Sequence, residues 1–199
     1  MSSFRFVLGN GEGAPSAQMN RTVPIIDNEF YHVFNRGNRK QPIFNEGSDY
    51  CSFLKKLCQG SFRYSVCVLA YTLMPNHFHF VLVQRPRGSI SRFMTSIETS
   101  AAKRFDLKYG YVGHLFQGRF EYSRAETEES LLVLIRYIHL NPVAAGLVHL
   151  PEEWPYSDYR EHVGQGILLR GLNRGEGRLL PWSKEEYARF VNVWMENRS

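Results

Sequence analysis

Alternating side-chain types along residues 74–83 predict a β-strand. β-Branched and aromatic residues dominate this stretch, and Pro75 with Asn76 marks its start. Because successive side chains of a strand point to opposite faces, His77 and His79 should lie on the same face, roughly 7 Å apart. The apolar residues between and after them should enter a core on the other face: Phe78, Phe80 and Leu82.

Hydrophobic periodicity elsewhere in the chain predicts further strands and helices. We expect the first helix to close at Gly60 and the third to end before Pro142, because a residue before proline avoids the α region. The order strand, helix, strand, strand, helix, strand, helix predicts an α+β fold, a ferredoxin-like antiparallel sheet with helices plus an extra C-terminal helix. The predicted strands cover 30–34, 64–74, 77–83 and 115–123, and the predicted helices 48–60, 89–108, 127–141 and 183–197.

Composition divides the chain into three segments. Residues 1–27 are rich in glycine without sustained periodicity, which predicts a flexible leader. The domain that carries the motifs should span residues 28–165. Residues 166–199 should form a C-terminal extension that contains a helix but no assignable motif.

The charge balance is mildly basic, with 24 Lys and Arg residues against 19 Asp and Glu and a net charge of +5. This balance suits a nucleic-acid partner without requiring one. Aromatic residues make up 14% of the chain. Rings exposed beside basic side chains can stack on single-stranded bases, although most rings should belong to the core.

The three cysteines indicate a reducing compartment. Cys51, Cys58 and Cys67 form no C-x-x-C pair and lie in apolar segments, so we expect buried free thiols in the cytoplasm. The sequence shows no apolar run as long as a membrane span and no signal-peptide pattern. We therefore expect no membrane partner.

Two pairs of residues carry candidate chemistry. His77 and His79 could bind one metal ion, or a phosphate if protonated, and the simpler alternative is a solvated strand face. Tyr137 and Asn141 share one face of the third helix and could face the histidines. The simpler alternative is that Tyr137 lies at the rim of an amphipathic helix and that Asn141 is the C-cap before Pro142. Taken together, two imidazoles and an amide oxygen could hold Mg²⁺ or Mn²⁺ with positions left for a phosphate. Attack by the phenol would then give a phosphotyrosine.

Five segments match a known family: YHVFNRGN with the following PIF, MPNHFHFVL, GHLFQGRF, YIHLNPVAAGLV and PEEWPYSDY. They run from about residue 30 to residue 160. On these segments the chain resembles the single-tyrosine HUH transposases, most closely their REP-associated tyrosine transposase branch. The resemblance places the HUH motif on His77, Phe78 and His79, the nucleophile on Tyr137 and the polar third metal ligand on Asn141.

The resemblance implies nicking and strand transfer of single-stranded DNA beside a palindromic hairpin, through a 5′-phosphotyrosine link and a free 3′-OH. It also implies a divalent metal, no nucleotide cofactor, and a bacterial, nucleoid-associated location in the cytoplasm. Because related enzymes use the tyrosine in cis or in trans, a monomer and a homodimer both fit. The hairpin and its adjacent guide sequence should contact basic and polar residues, for which the candidates are Asn35, Arg36, Arg39, Lys103, Arg104, Gln117 and Arg119.

Two positions depart from the family pattern, because Glu121 and Ala144 stand where relatives often carry basic residues. These departures bear on DNA contacts rather than on the chemistry.

Two other functions stay open: a domesticated module that binds hairpin DNA or RNA with little activity, and a hydrolase of small phosphoesters that uses metal-bound water. His139 is the second choice of metal ligand if Asn141 is not one.

Overall fold

The computed structural model describes residues 24–166, 172–175 and 182–196. Most of the leader predicted over 1–27, and parts of the glycine-rich stretch after residue 166, lie outside these residues. Within them the chain forms four strands and five α-helices. The strands are β1 (Phe30–Arg36), β2 (Val66–Met74), β3 (His77–Gln84) and β4 (Glu121–Ala125), and the helices are α1 (Gly47–Arg63), α2 (Ile90–Tyr109), α3 (Glu128–Ala144), α4 (Tyr159–His162) and α5 (Lys184–Glu196).

The four strands form one antiparallel sheet in the order β2-β3-β1-β4. This confirms the predicted α+β class and ferredoxin-like topology. β3 therefore lies inside the sheet, between β2 and β1. Its register sets His79 opposite Phe34 of β1 and Thr72 of β2, and sets His77 opposite Arg36 of β1.

The sheet separates two apolar cores. α1 and α2 pack on one face, where Phe93 of α2 belongs to the same cluster as Phe78 and Phe80 of β3. α3 and α5 pack on the other face, in a cluster with Val81. The alternation along β3 thus sends its phenylalanines into the first core and its histidines toward α3, as the sequence pattern predicts.

α1 runs through Gly60 to Arg63, so the prediction that Gly60 closes this helix is wrong. Gly60 is buried where α1 packs on α2, and a Cβ at this position would lie 2.9 Å from two ring carbons of Phe93. The glycine therefore allows the two helices to approach closely. At the other end of α1, Asp49 accepts hydrogen bonds from backbone N–H groups ahead of the helix.

α3 continues past Pro142 to Ala144, so the prediction that this proline ends the helix is also wrong. Proline lacks an N–H and cannot donate to the carbonyl of Ile138 four residues earlier. Because Pro142 lies in the last turn of α3, the helix loses this one hydrogen bond and continues. The N–H of Ala145 still donates to the carbonyl of Asn141 and completes the last turn.

β4 spans Glu121–Ala125 instead of the predicted 115–123. Residues 114–120 form a loop that joins the sheet at an isolated bridge between Phe116 and Gly37. Leu115 and Phe116 are buried in the first core. Their apolar side chains therefore anchor the loop to the core and do not mark a strand.

The cysteines are free thiols, as predicted, but Cys51 is exposed and the expectation that all three are buried is wrong. Cys58 is partly buried and Cys67 is buried. Among the described residues, no helix combines the length and the apolar character that crossing a bilayer requires.

Candidate active site

Two imidazoles lie side by side on β3, on the face that α3 covers. The ring centroids of His77 and His79 are 5.0 Å apart, and the ring planes are nearly perpendicular at 86°. His79 is 4% exposed, whereas His77, the first residue of the strand, is partly buried. The pair therefore reaches from the protein interior to its edge.

A neighbouring side chain holds one nitrogen of each ring. His77 Nδ1 lies 2.6 Å from Asn76 Oδ1, and the amide nitrogen of Asn76 donates to the carbonyl of Lys40 over 3.1 Å. His79 Nδ1 lies 2.9 Å from Nε2 of His32 on β1. In both rings these bonds engage Nδ1 rather than Nε2.

Burial keeps these imidazoles neutral. It lowers the pKa of His32 to about 3 and the pKa of His77 to about 4, where the guanidinium of Arg36 adds to the effect. Burial also lowers the pKa of His79 well below its ordinary value, with a further contribution from the two neighbouring histidines. Because metal ions bind neutral imidazole, the pair needs no deprotonation at neutral pH.

α3 brings Tyr137 to the imidazole pair within the same chain. The centroid of its ring lies 5.7 Å from that of His79 and 6.4 Å from that of His32, edge-on to both. Burial raises the pKa of Tyr137, and a hydrogen bond with the Asn141 side chain acts in the opposite direction. The amide nitrogen of Asn141 donates to the backbone carbonyl of Tyr137 over 2.8 Å, which leaves its side-chain oxygen for another partner.

Beside the imidazoles, Thr72 Oγ1 and Arg36 Nε are buried and have no hydrogen-bond partner within the described part of the chain. Thr72 is the β2 neighbour of His79, and Arg36 is the β1 neighbour of His77. A buried polar group without a partner costs about 1–3 kcal/mol, so these two atoms indicate a place for a polar ligand. Neutral imidazoles with amide and hydroxyl oxygens fit a divalent cation, and a guanidinium fits a phosphate next to it.

Three further predicted DNA-binding residues lie near this site, on two loops that meet at the end of β1. The N–H of Gln117 donates to the carbonyl of Arg36 over 3.0 Å, which joins the 114–120 loop to the strand. Gly37 permits the tight turn that follows β1, because a Cβ there would collide with the backbone carbonyl oxygen of Gln41. The three side chains are exposed: Arg39, Gln117 and Arg119.

Asn35, in contrast, is buried, with 2% of its surface exposed. Its amide nitrogen donates to Glu98 over 2.8 Å and to the carbonyl of Gly118 over 3.0 Å. Its side-chain oxygen accepts the N–H of Arg36. Asn35 therefore supports the 114–120 loop from inside, and contact with DNA would require it to exchange partners.

Lys103 and Arg104 lie on α2, across the sheet from the histidines. They line a groove of about 900 Å³ between α1 and α2, together with Lys55 and Lys56 of α1. The structure thus brings these predicted DNA-binding residues together in two groups. One group borders the imidazole pair and the other lies on the opposite face of the sheet.

A second histidine cluster lies behind the tyrosine, where α3 meets α5. His139 is fully buried, with Nδ1 2.6 Å from the hydroxyl of Tyr187 and Nε2 2.9 Å from Oδ1 of Asp158. The nitrogen and oxygen atoms of His139, Asp158 and His162 lie within 4.8 Å of one another. However, Arg174 already donates to the Asp158 carboxylate, and His162 Nε2 donates to a backbone carbonyl of β2. The cluster is therefore a closed polar network, and His139 has no ring nitrogen left for the imidazole pair.

Sequence reasoning misses His32 and Asn76 as parts of the site. The alternation along β1 offers a signal for His32, because Tyr31 and Val33 on either side of it are core residues. That signal gives the face of the strand but not its neighbour in the sheet. For Asn76 the Pro-Asn pattern indicates a turn, and it does not predict the contact between the Asn76 side chain and His77.

A ferredoxin-like sheet that presents a histidine pair to a tyrosine on a later helix is the arrangement expected of the single-tyrosine HUH transposases. The chain belongs to the IS200-like transposase family, whose family model matches residues 26–141. This confirms the resemblance found in the sequence segments. No curated protein matches the sequence.

Two solved structures of transposases are similar to this chain. A REP-associated tyrosine transposase bound to a REP hairpin has a TM-score of 0.62 and 19% sequence identity, and the match covers 81% of this chain and 93% of that chain. A putative transposase from Deinococcus radiodurans has a TM-score of 0.40 and 18% identity over 56% of this chain and 89% of that chain. The first likeness confirms the fold, and the second is too weak to support a structural argument.

Proposed function

We propose that this protein is a metal-dependent, single-stranded DNA nicking and strand-transfer enzyme that acts at hairpin DNA through Tyr137. The observation that carries the proposal is the 5.7 Å separation of the Tyr137 and His79 rings within one chain. The family is one of transposases, and the similar solved structure is bound to a REP hairpin. We infer a comparable DNA for this chain, a palindromic hairpin with a single-stranded guide sequence beside it.

In the proposed reaction His77, His79 and Asn141 would hold Mg²⁺ or Mn²⁺, which when bound would stabilise negative charge on the scissile phosphate. The Tyr137 oxygen attacks phosphorus, and the bond from phosphorus to the 3′ oxygen breaks. The phenol loses its proton, and the departing oxygen gains one to become a free 3′-OH. The 5′ end stays on Tyr137 as a phosphotyrosine, which conserves the bond energy for rejoining.

Arg36 is suited to hold the scissile phosphate. Its Nε is buried without a partner in the described residues, next to His77, and a guanidinium binds phosphate through parallel hydrogen bonds. The raised pKa of Tyr137 keeps the phenol protonated in the free protein. The phenolate would therefore form only after the positive charges of the assembled site surround it.

The two groups of predicted DNA-binding residues suggest how the DNA lies on the protein. Arg39, Gln117 and Arg119 would hold the single strand as it enters the site. Lys103 and Arg104, across the sheet, would contact phosphates of the hairpin stem. Such contacts add affinity and fix the position of the DNA without reading its sequence.

The test is incubation of the protein with a hairpin oligonucleotide that carries single-stranded flanks, in Mg²⁺ or Mn²⁺. We expect a covalent protein–DNA adduct on a denaturing gel, absent in Tyr137→Phe and present in Tyr64→Phe, a partly buried tyrosine on the other side of the sheet. His77→Ala should lose the adduct but keep most hairpin affinity. Binding without any adduct in either metal would instead support a binding module, and full activity of Tyr137→Phe would support hydrolysis by water.

Mixing two inactive variants tests whether the tyrosine acts in cis. Because Tyr137 faces the imidazoles of its own chain, a mixture of Tyr137→Phe and His77→Ala should remain inactive. Recovery of the adduct in the mixture would show that one chain supplies the tyrosine and another the histidines.

A further inference from the structure

We propose that His32 is a positioning residue of the imidazole pair: its Nε2 accepts a hydrogen bond from Nδ1 of His79 and so commits Nε2 of His79 to the metal ion. The inference rests on the proposed function. His32 is 3% exposed, and the two nitrogens are 2.9 Å apart. His32 lies in the YHVFNRGN segment, but nothing in that segment assigns it a role at the histidine pair.

The bond between Asn76 and His77 shows what such a partner does at the other ring. The amide nitrogen of Asn76 donates to the carbonyl of Lys40, so its Oδ1 is the atom that faces His77 Nδ1 at 2.6 Å. An amide oxygen can only accept a hydrogen bond. His77 must therefore carry its proton on Nδ1, which leaves the lone pair of Nε2 for a metal ion.

The partner of His79 is a second imidazole, whose Nε2 can either donate or accept. If His32 donated, His79 would carry its proton on Nε2 and could not bind a cation there. If His32 accepts, His77 and His79 are the same tautomer, with the proton on Nδ1, and both present the lone pair of Nε2. A hydrogen bond to the other ring nitrogen also fixes the orientation of a metal ligand and raises its basicity.

Packing fixes the ring of His32 in the position that this role requires. The ring stacks on Phe34 with centroids 4.9 Å apart and on His79 with centroids 5.1 Å apart. It also meets Tyr137 edge-on at 6.4 Å. His32 thus contacts both His79 and Tyr137, and a shift of its ring would disturb the two together.

The test compares His32→Phe, which keeps a flat ring but removes the acceptor, with His32→Gln, which retains an acceptor oxygen. Mn²⁺ affinity of the DNA-free protein is measured by titration calorimetry. We expect His32→Phe to weaken Mn²⁺ binding by about 10–100-fold and His32→Gln to recover most of the loss. His114→Phe, which removes an exposed imidazole outside the site, is the matched control and should bind Mn²⁺ as the wild type does.

Nitrogen-15 NMR of the metal-free wild type adds a measurement that needs no variant. We expect the spectra to place the ring proton on Nδ1 in both His77 and His79. A proton on Nε2 of His79, or a folded His32→Phe protein with wild-type Mn²⁺ affinity, would overturn the proposal. Neither readout involves DNA cleavage, so failure of this inference can be told apart from failure of the proposed enzymatic function.

Discussion

Glu98 on α2 should make the stability of this protein depend on pH. Its side chain is partly buried and accepts a hydrogen bond from the amide of Asn35 over 2.8 Å. Burial raises the pKa of Glu98 from 4.5 to about 7, although the bond from Asn35 acts in the opposite direction. Between these two values the carboxyl group is protonated in the folded protein and ionised in the unfolded chain.

The sign of the effect follows from this difference. The stabilising contribution of protonated Glu98 is complete below pH 4.5 and is lost as the pH rises through about 7. Since one pKa unit corresponds to about 1.4 kcal/mol, the ionised carboxylate costs the folded state about 3 kcal/mol above pH 7. Glu98→Gln avoids this cost, because glutamine stays neutral and keeps an oxygen that can accept from Asn35.

Urea unfolding at two pH values measures the effect. We expect the free energy of unfolding of Glu98→Gln to exceed that of the wild type by about 2–3 kcal/mol at pH 8 and by less than about 1 kcal/mol at pH 5. Glu126→Gln, which neutralises an exposed carboxylate, should show no such gain. An equal gain at both pH values, or a loss at pH 8, would show that the protein accommodates ionised Glu98 without cost and would refute the reasoning.

Two further predictions concern the helices on the same face of the sheet. Gly60→Ala should lower the free energy of unfolding by about 1–3 kcal/mol despite the better helix propensity of alanine, because the new methyl group would lie 2.9 Å from the Phe93 ring. Thermal unfolding beside Cys51→Ala, an exposed position on the same helix, checks this, and a stabilised Gly60→Ala would mean that the helices move apart freely. Replacing Lys103 and Arg104 together by alanine should weaken hairpin binding and reduce the slope of log affinity against log salt by about 2. An unchanged slope would exclude this part of α2 from the DNA interface.

Local periodicity is enough to predict the main pairs of the candidate site. The two-residue period of a strand places His77 and His79 on one face, and the four-residue spacing on a helix places Tyr137 and Asn141 on another. Neither pattern says that the two faces meet. That step requires the sheet order, in which β3 lies inside and α3 covers its histidine face.

The residues that sequence reasoning misplaces are those whose environment is set by distant contacts. Gly60 has the local character of a helix end, but its contact with Phe93 explains why a glycine stands inside α1. Asn35 has the character of an exposed turn residue, yet β1 extends to Arg36 and turns the amide inward to Glu98. His32 becomes a partner of His79 only through the pairing of β1 with β3.

The C-terminal extension, which carries no motif, helps to hold the tyrosine helix in place. The family match ends at residue 141, but His139 on α3 bonds to Tyr187 of α5 and to Asp158. Asp158 also accepts from Arg174 over 2.6 Å. His139 lies two residues from Tyr137, so a rotation of α3 that moved the phenol away from the imidazoles would break these buried bonds, at about 1–3 kcal/mol for each group left without a partner. The position of Tyr137 in this chain therefore depends on residues beyond the segment that the family model matches.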